Sequence, residues 1–186
     1  MTFTVLLDAN VLVPVALADT LSRAADQGLY APLWSERILA EVRRAILKIH
    51  DDIDPGRVDA RLHAMNRAFE DACVTGWEPL QASITLPDPD DRHVVSAAIR
   101  GRADVIVTCN LRDFPQNTLA ALGLEALSPD DFLQDLVDLA PEEMTRVIWS
   151  QACATSNPRL TVSGILTSLR QAGVPAFTDL MMPLLG

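Results

Sequence analysis

Cysteine is scarce. Cys73, Cys109 and Cys153 are the only three, and no Cys-x-x-Cys pair occurs. An odd, widely spaced set suggests neither a zinc knuckle nor a disulfide framework, and it suits a reducing cytosol. Lysine is scarcer still: Lys48 stands alone beside 14 arginines. Aromatic residues are 5% of the 186, too few for a module that binds single strands by base stacking. Trp34, Trp77 and Trp149 therefore read as packing anchors. No apolar run nears the roughly 18 residues of a membrane span, so no membrane role is expected. The apolar start has no basic residue before Arg23 and is interrupted by Asp8. It is expected to belong to the fold and not to a secretion signal.

What the chain has in excess is acid. The 15 Lys and Arg stand against 25 Asp and Glu, for a formal charge of −10. The imbalance lies in residues 1–140, with 12 basic and 22 acidic side chains, while 141–186 hold three of each. An acidic body argues against a broad electrostatic surface for nucleic acid. The exception is a chain whose acids gather at a cation site, where bound metal reverses the local field. Apolar residues make up 49%, the level of a globular domain and far from that of a disordered chain. The length predicts one domain with an appendage, large enough for a core without staples.

Phe3–Leu7 is a short apolar run with β-branched residues and reads as a strand buried on both faces. Residues 11–27 read as a helix despite Pro14. Ser35 is a plausible cap for a helix over 36–49 with an Ile38, Leu39, Val42, Ile46 and Ile49 stripe. Asp54 and Pro55 start another helix. Residues 74–80 are weakly strand-like, and two prolines make 86–91 a loop. A helix over 91–100 ends at Gly101. A second buried strand covers 105–108, with a loop over 109–115. A short helix at 116–122, a strand near 124–127 and a helix at 129–139 capped by Ser128 follow. The alternation argues for an α/β domain with a mostly parallel central sheet. Pro141 marks a boundary, giving a domain over 1–138 and a C-terminal helical extension over 139–186. That extension has helices near 141–153 and 161–172 and an apolar tail from Phe177. If exposed, the tail would mark a partner site; packing onto its own domain is the equal alternative.

Ligands of open parallel sheets bind beyond the carboxyl ends of the strands. Asp8 ends the first buried strand. Asn110 and Asp113 follow the second. Asp88, Asp90 and Asp91 stand in the loop that opens the 91–100 helix. The fold thus brings several carboxylates to one rim, where they raise one another's pKa unless a cation intervenes. Oxygen ligands with spare water positions suit Mg²⁺ or Mn²⁺. Each acid also has an ordinary reading alone. Asp8, Asp88 and Asp91 serve as helix caps, Asp113 as an Asx turn, and Glu41 as a solvated helix residue. His93 adjoins Asp91 but is expected to point elsewhere, as a surface or packing residue.

Four segments change the odds together: Val5-Leu6-Leu7-Asp8-Ala9-Asn10, Ser35-Glu36-Arg37-Ile38-Leu39-Ala40-Glu41, Asp88-Pro89-Asp90-Asp91-Arg92-His93-Val94 and Val107-Thr108-Cys109-Asn110-Leu111-Arg112-Asp113. In order and spacing, across about residues 1–135, they resemble the PIN-domain nucleases, especially the VapC-type toxins of bacterial toxin–antitoxin pairs. The resemblance implies a three-layer α/β/α fold and a metal-dependent endoribonuclease with Mg²⁺ or Mn²⁺ as cofactor. It implies Asp8, Glu41, Asp91 and Asp113 as the acidic set, with Asp8, Asp91 and Asp113 on the metal. Thr108, Asn110 and Asp88 would be supporting or water-positioning groups. The choice of Asp91 over Asp88 and Asp90 follows the family's helix pattern. Hydrolysis would leave a 5′-phosphate and a 3′-hydroxyl. The substrate would be RNA, single-stranded or in a loop. Arg43, Arg44, Arg92 and Arg112 adjoin the acid motifs and are candidates for flanking phosphates, with surface salt bridging as the alternative. The implied partners are an antitoxin and a second copy, in the cytoplasm. The alternatives are an RNA-processing nuclease of the same fold outside such a pair, and a non-catalytic scaffold. Haloacid-dehalogenase-like phosphatases fit poorly. Their second Asp falls at Asn10, and they need a late Lys where only Lys48 exists.

Overall fold

The apolar run that opens the chain is a central strand. β1 (Thr4–Leu7) pairs in parallel with β2 (Ala31–Leu33) on one side and with β3 (Val105–Val107) on the other. β3 in turn pairs in parallel with β4 (Glu125–Leu127). The computed structural model describes residues 3–156 and 158–186. Strand order is β2-β1-β3-β4, so the expected mostly parallel sheet is parallel throughout. Parallel neighbours need crossovers that cover the faces of the sheet, and Val5, Leu6, Ile106 and Val107 are accordingly fully buried. The chain leaves β1 toward β2 and later returns to the opposite side for β3. The topological switch point therefore lies between β1 and β3.

The crossovers are α1 (Ala9–Leu12), α2 (Val15–Asp26), α3 (Glu36–Ile49), α4 (Pro55–Ala68), α5 (Arg92–Gly101) and α6 (Gln116–Ala120). Capping side chains define several starts. Ser35 Oγ accepts from Ile38 N–H at 3.2 Å, and an Asp54 carboxylate oxygen accepts from Gly56 N–H at 3.0 Å. In α3, Ile38, Leu39, Val42 and Ile46 form the buried stripe, as its 3.6-residue period requires.

Four local readings differ from the sequence expectation. The helix expected over 11–27 is two helices, because Pro14 lacks an N–H and breaks the ladder between α1 and α2. Ala31–Leu33 is a strand where none was expected. It is three residues long, contains Pro32, and lies at a sheet edge, where proline is tolerated. Residues 74–80 form no strand. An isolated Trp34–Cys73 bridge is followed by a 3₁₀ turn over Glu78–Ser83. Gly101 does not turn the helix end, since Arg102 takes the left-handed conformation with φ 56°. Glycine at 101 instead permits close approach: a Cβ there would stand 2.5 Å from Leu33 Cδ1 and 2.9 Å from Val74 Cγ2.

The rest is helical: α7 (Pro129–Leu139), α8 (Pro141–Ala154), α9 (Val162–Gln171) and α10 (Pro175–Leu185). Ser128 caps α7 by accepting from Asp131 N–H at 3.1 Å. α8 packs on α2, and α10 packs on α7 and α9. Polar bonds secure both contacts. Thr20 Oγ1 donates to Gln151 Oε1 at 2.7 Å, and Gln151 Nε2 donates to Ala16 O at 2.9 Å. The Asp130 carboxylate accepts from Ala176 N–H at 3.1 Å and Phe177 N–H at 2.8 Å, at the start of α10. Phe177 and Met181 are fully buried, so this face of the tail packs onto its own chain, while Met182 and Leu184 stay exposed. Trp34 and Trp77 are buried anchors, as expected, but Trp149 is 50% exposed. No helix among the described residues is long and apolar enough to cross a membrane.

Candidate functional site

Parallel pairing aligns Leu7 with Val107, so the residues that follow each strand emerge side by side. Asp8 follows β1, caps α1 and is 6% exposed. Thr108 follows β3 and is fully buried. Asp8 Oδ2 accepts from Thr108 Oγ1 and from Asn10 Nδ2, both at 2.7 Å, and Asp8 Oδ1 accepts from Ala9 N–H at 2.7 Å. Asn10 Oδ1 accepts from Cys109 N–H at 2.9 Å, which ties the α1 start to the loop after β3. Thr108 Oγ1 also accepts from Asn110 N–H at 3.1 Å. Asn110 Nδ2 donates to Asp113 Oδ2. One connected network thus runs from Asp8 through Thr108 and Asn110 to Asp113.

The loop before α5 brings a further carboxylate. Asp88 caps the 3₁₀ turn over Pro89–Asp91 by accepting from Asp90 N–H at 2.8 Å. That leaves Asp91 at the first position before α5 with no capping bond of its own. Burial, together with the charges of Asp8, Asp88 and Asp113, pushes the Asp91 carboxyl up to about 6. Burial likewise pushes Asp8 above the usual carboxylate range, against the pull of its Thr108 and Ala9 hydrogen bonds.

Glu41 reaches the site from α3. Its Oε1 accepts from His93 Nε2 at 3.1 Å and from Arg37 Nε at 3.3 Å. Burial raises the Glu41 carboxyl, and the His93 and Arg37 interactions more than reverse this, so it titrates below its ordinary value. The expectation that His93 points away is wrong. The ring is 1% exposed, lies against Glu41, and is packed beside Trp77 with ring centroids 6.0 Å apart. Sequence reasoning also passed over Arg37 and Asn10. Arg37 stands one helical turn before Glu41, a spacing that places both on one helix face.

The arginines divide. Arg43 pairs with Asp59 of α4 at 2.6 Å. Arg44 and Arg112 are exposed, and Arg92 is half-buried with its Nε lacking a hydrogen-bond partner. Arg37 instead touches the acidic group, its Nη2 donating to Asp90 O at 3.4 Å.

Asp8, Asp91 and Asp113 offer oxygen donors, the chemistry of a hard divalent cation. Their mutual repulsion is the signature of a site that a cation would relieve. Among the described residues, no three ligating side chains stand close enough to enclose one ion. Mg²⁺ keeps several waters and needs only one or two carboxylates, so the donor set fits it.

Comparison with known proteins agrees with the fold. Residues 4–112 match the family model described as PIN domain, and residues 129–183 match one described as VapC50 C-terminal domain. A curated protein of Mycobacterium tuberculosis (strain ATCC 25618 / H37Rv), named "Putative ribonuclease VapC50", is 45% identical over 87 residues. Those residues are 47% of this chain and 51% of that protein, so the match spans about half the length of the curated relative. No solved structure matches.

Proposed function

The chain belongs to the PIN-domain family, and on that premise we propose that it is a Mg²⁺- or Mn²⁺-dependent endoribonuclease, the toxin of a type II toxin–antitoxin pair. The observation that carries the reading is the acidic group at the β1/β3 switch point, where Asp91 is pushed up to about 6 by burial and by Asp8, Asp88 and Asp113. The curated relative's name and the match to a VapC50 C-terminal domain support the toxin assignment. An antitoxin protein and RNA are the partners of this reading, a second copy is a further one, and the cytoplasm is its compartment. The division into a nuclease domain over 1–138 and a helical extension over 139–186 belongs to it as well.

Asp8, Asp91 and Asp113 would hold the ion, one or two of them directly and the rest through its waters. When bound, it polarises the scissile phosphate and lowers the pKa of the attacking water. The chain's own groups then have separate tasks. Thr108, Asn10 and the Ala9 N–H hold Asp8 in one rotation. Asn110 holds Asp113. Glu41, kept ionised by His93 and Arg37, orients the water through the oxygen that carries no hydrogen bond. Asp88 shapes the turn that presents Asp91. Arg92 and Arg112 lie next in sequence to the acids and serve flanking phosphates. Arg44 serves more distant ones, and Arg43 does so only by exchanging its Asp59 partner. Water replaces the leaving oxygen at phosphorus, yielding a 5′-phosphate and a 3′-hydroxyl.

The test is incubation of purified protein, free of any antitoxin, with total cellular RNA in Mg²⁺, in Mn²⁺ and in EDTA. Cuts that need metal and disappear in Asp8→Asn support the reading. No cutting by folded protein with either metal overturns it.

A further inference from the structure

Two hydrogen bonds fall on one oxygen of Glu41. His93 Nε2, from α5, and Arg37 Nε, from α3, both reach Oε1. No hydrogen bond reaches Oε2 among the described residues. A carboxylate held through one oxygen by donors from two helices cannot swing, and its second oxygen is left free.

The imidazole is itself immobilised. Trp77, buried at the start of the Glu78–Ser83 turn, packs beside it, and that turn lies on α5. His93 Nδ1 is buried and has no hydrogen-bond partner. Nε2 must carry a proton to bond an acceptor-only carboxylate. A proton on Nε2 is therefore what the contact with Glu41 requires. A surface or packing histidine needs neither burial nor this pairing.

Resting on the nuclease reading above, we propose that His93 is a positioning residue: it locks Glu41 so that Oε2 faces the acidic rim, and thereby strengthens binding of the divalent ion. Trp77 holds the ring in place for this task. Arg37 shares the load from the solvent side and is more exposed, so the larger effect belongs to His93.

The experiment reads ion binding directly. Free Mn²⁺ is titrated with protein by electron paramagnetic resonance, without RNA, for wild type, His93→Phe and His93→Gln. Phenylalanine fills the space beside Trp77 and cannot donate, whereas glutamine can. His93→Phe is expected to weaken Mn²⁺ binding about 10-fold or more, within the range for lost outer partners of metal ligands. His93→Gln is expected to recover most of that loss. On RNA, His93→Phe is expected to lower kcat with KM unchanged. Wild-type Mn²⁺ affinity in His93→Phe, or glutamine no better than phenylalanine, overturns the proposal, as does a wild-type protein that binds no Mn²⁺. If His93→Phe fails to fold, the histidine ¹⁵N shifts of the wild type decide: a protonated Nε2 supports the proposal, and a bare Nε2 overturns it. A wild type that binds Mn²⁺ but cuts no RNA removes the nuclease reading alone, because the Mn²⁺ comparison still judges His93.

Discussion

Thr108 Oγ1 donates to Asp8 Oδ2 at 2.7 Å across 100 residues of sequence. The bond exists because β1 and β3 are parallel neighbours in register, Leu7 opposite Val107. The two residues are the first positions beyond the sheet at its switch point, and both are buried.

Asp8→Asn is expected to lower RNA cleavage by more than about 100-fold, beyond the usual loss for an outer partner, with the circular dichroism spectrum unchanged. Thr108→Val keeps the shape and removes the donor. Its expected loss is about 10–100-fold. Initial rates in Mn²⁺ check both, and full activity of Asp8→Asn would remove Asp8 from the site.

Asp91 sets a pH dependence. Its folded-state pKa is raised, to about 6, so the folded protein binds this proton more tightly than the unfolded chain does. By linkage, this group lowers stability as pH rises through 4 to 6, and the penalty is fully present at pH 7. Without divalent metal, Asp91→Asn should therefore melt higher than wild type at pH 7. The gap should narrow below pH 6 and vanish near pH 4. Thermal melts in EDTA across that range check the sign.

Bound Mg²⁺ or Mn²⁺ should raise the melting temperature of wild type by mass action. The rise should be larger at pH 7 than at pH 5, where Asp91 is protonated, and small in Asp91→Asn. Equal shifts at both pH values would place the ion elsewhere.

Gln151→Leu removes the partner that Thr20 finds in α8. Losing buried hydrogen bonds of this kind costs about 1–3 kcal/mol. Thr20→Val combined with Gln151→Leu should recover part of it, since both sides are then apolar. Urea unfolding of the single and double variants measures the coupling.

Asp130→Ala frees two N–H groups at the start of α10. An expected cost of about 1–2 kcal/mol, as for a lost helix cap, should appear as faster hydrogen exchange at Ala176 and Phe177. Exchange at the β1 and β3 amides should be unaffected.

The sheet and the acid motifs were legible because they are local patterns. Apolar runs stopped by Asp8 and Thr108 mark strand ends, and Ser35, Asp54 and Ser128 mark helix starts. Glu41 and His93 were not legible as a pair, because they lie 52 positions apart on two different helices. Two errors share one cause here. Residues 74–80 read as a strand, yet they lead through Trp77 into the turn that covers α5. Without that cover His93 faces solvent, and with it the ring is sealed against Glu41. β2 was hidden by its brevity and by Pro32, which only an edge position allows.

The Thr20–Gln151 bond has a consequence in time. A chain made from its N-terminus at about 5–20 residues per second completes α2 long before α8. Until residue 151 emerges, the Thr20 hydroxyl has only its own helix to bond, and the face of α2 that α8 covers stays wet. Closure of the α2 face therefore waits on residues 141–154, and a ribosome stalled before α8 would hold an incomplete core.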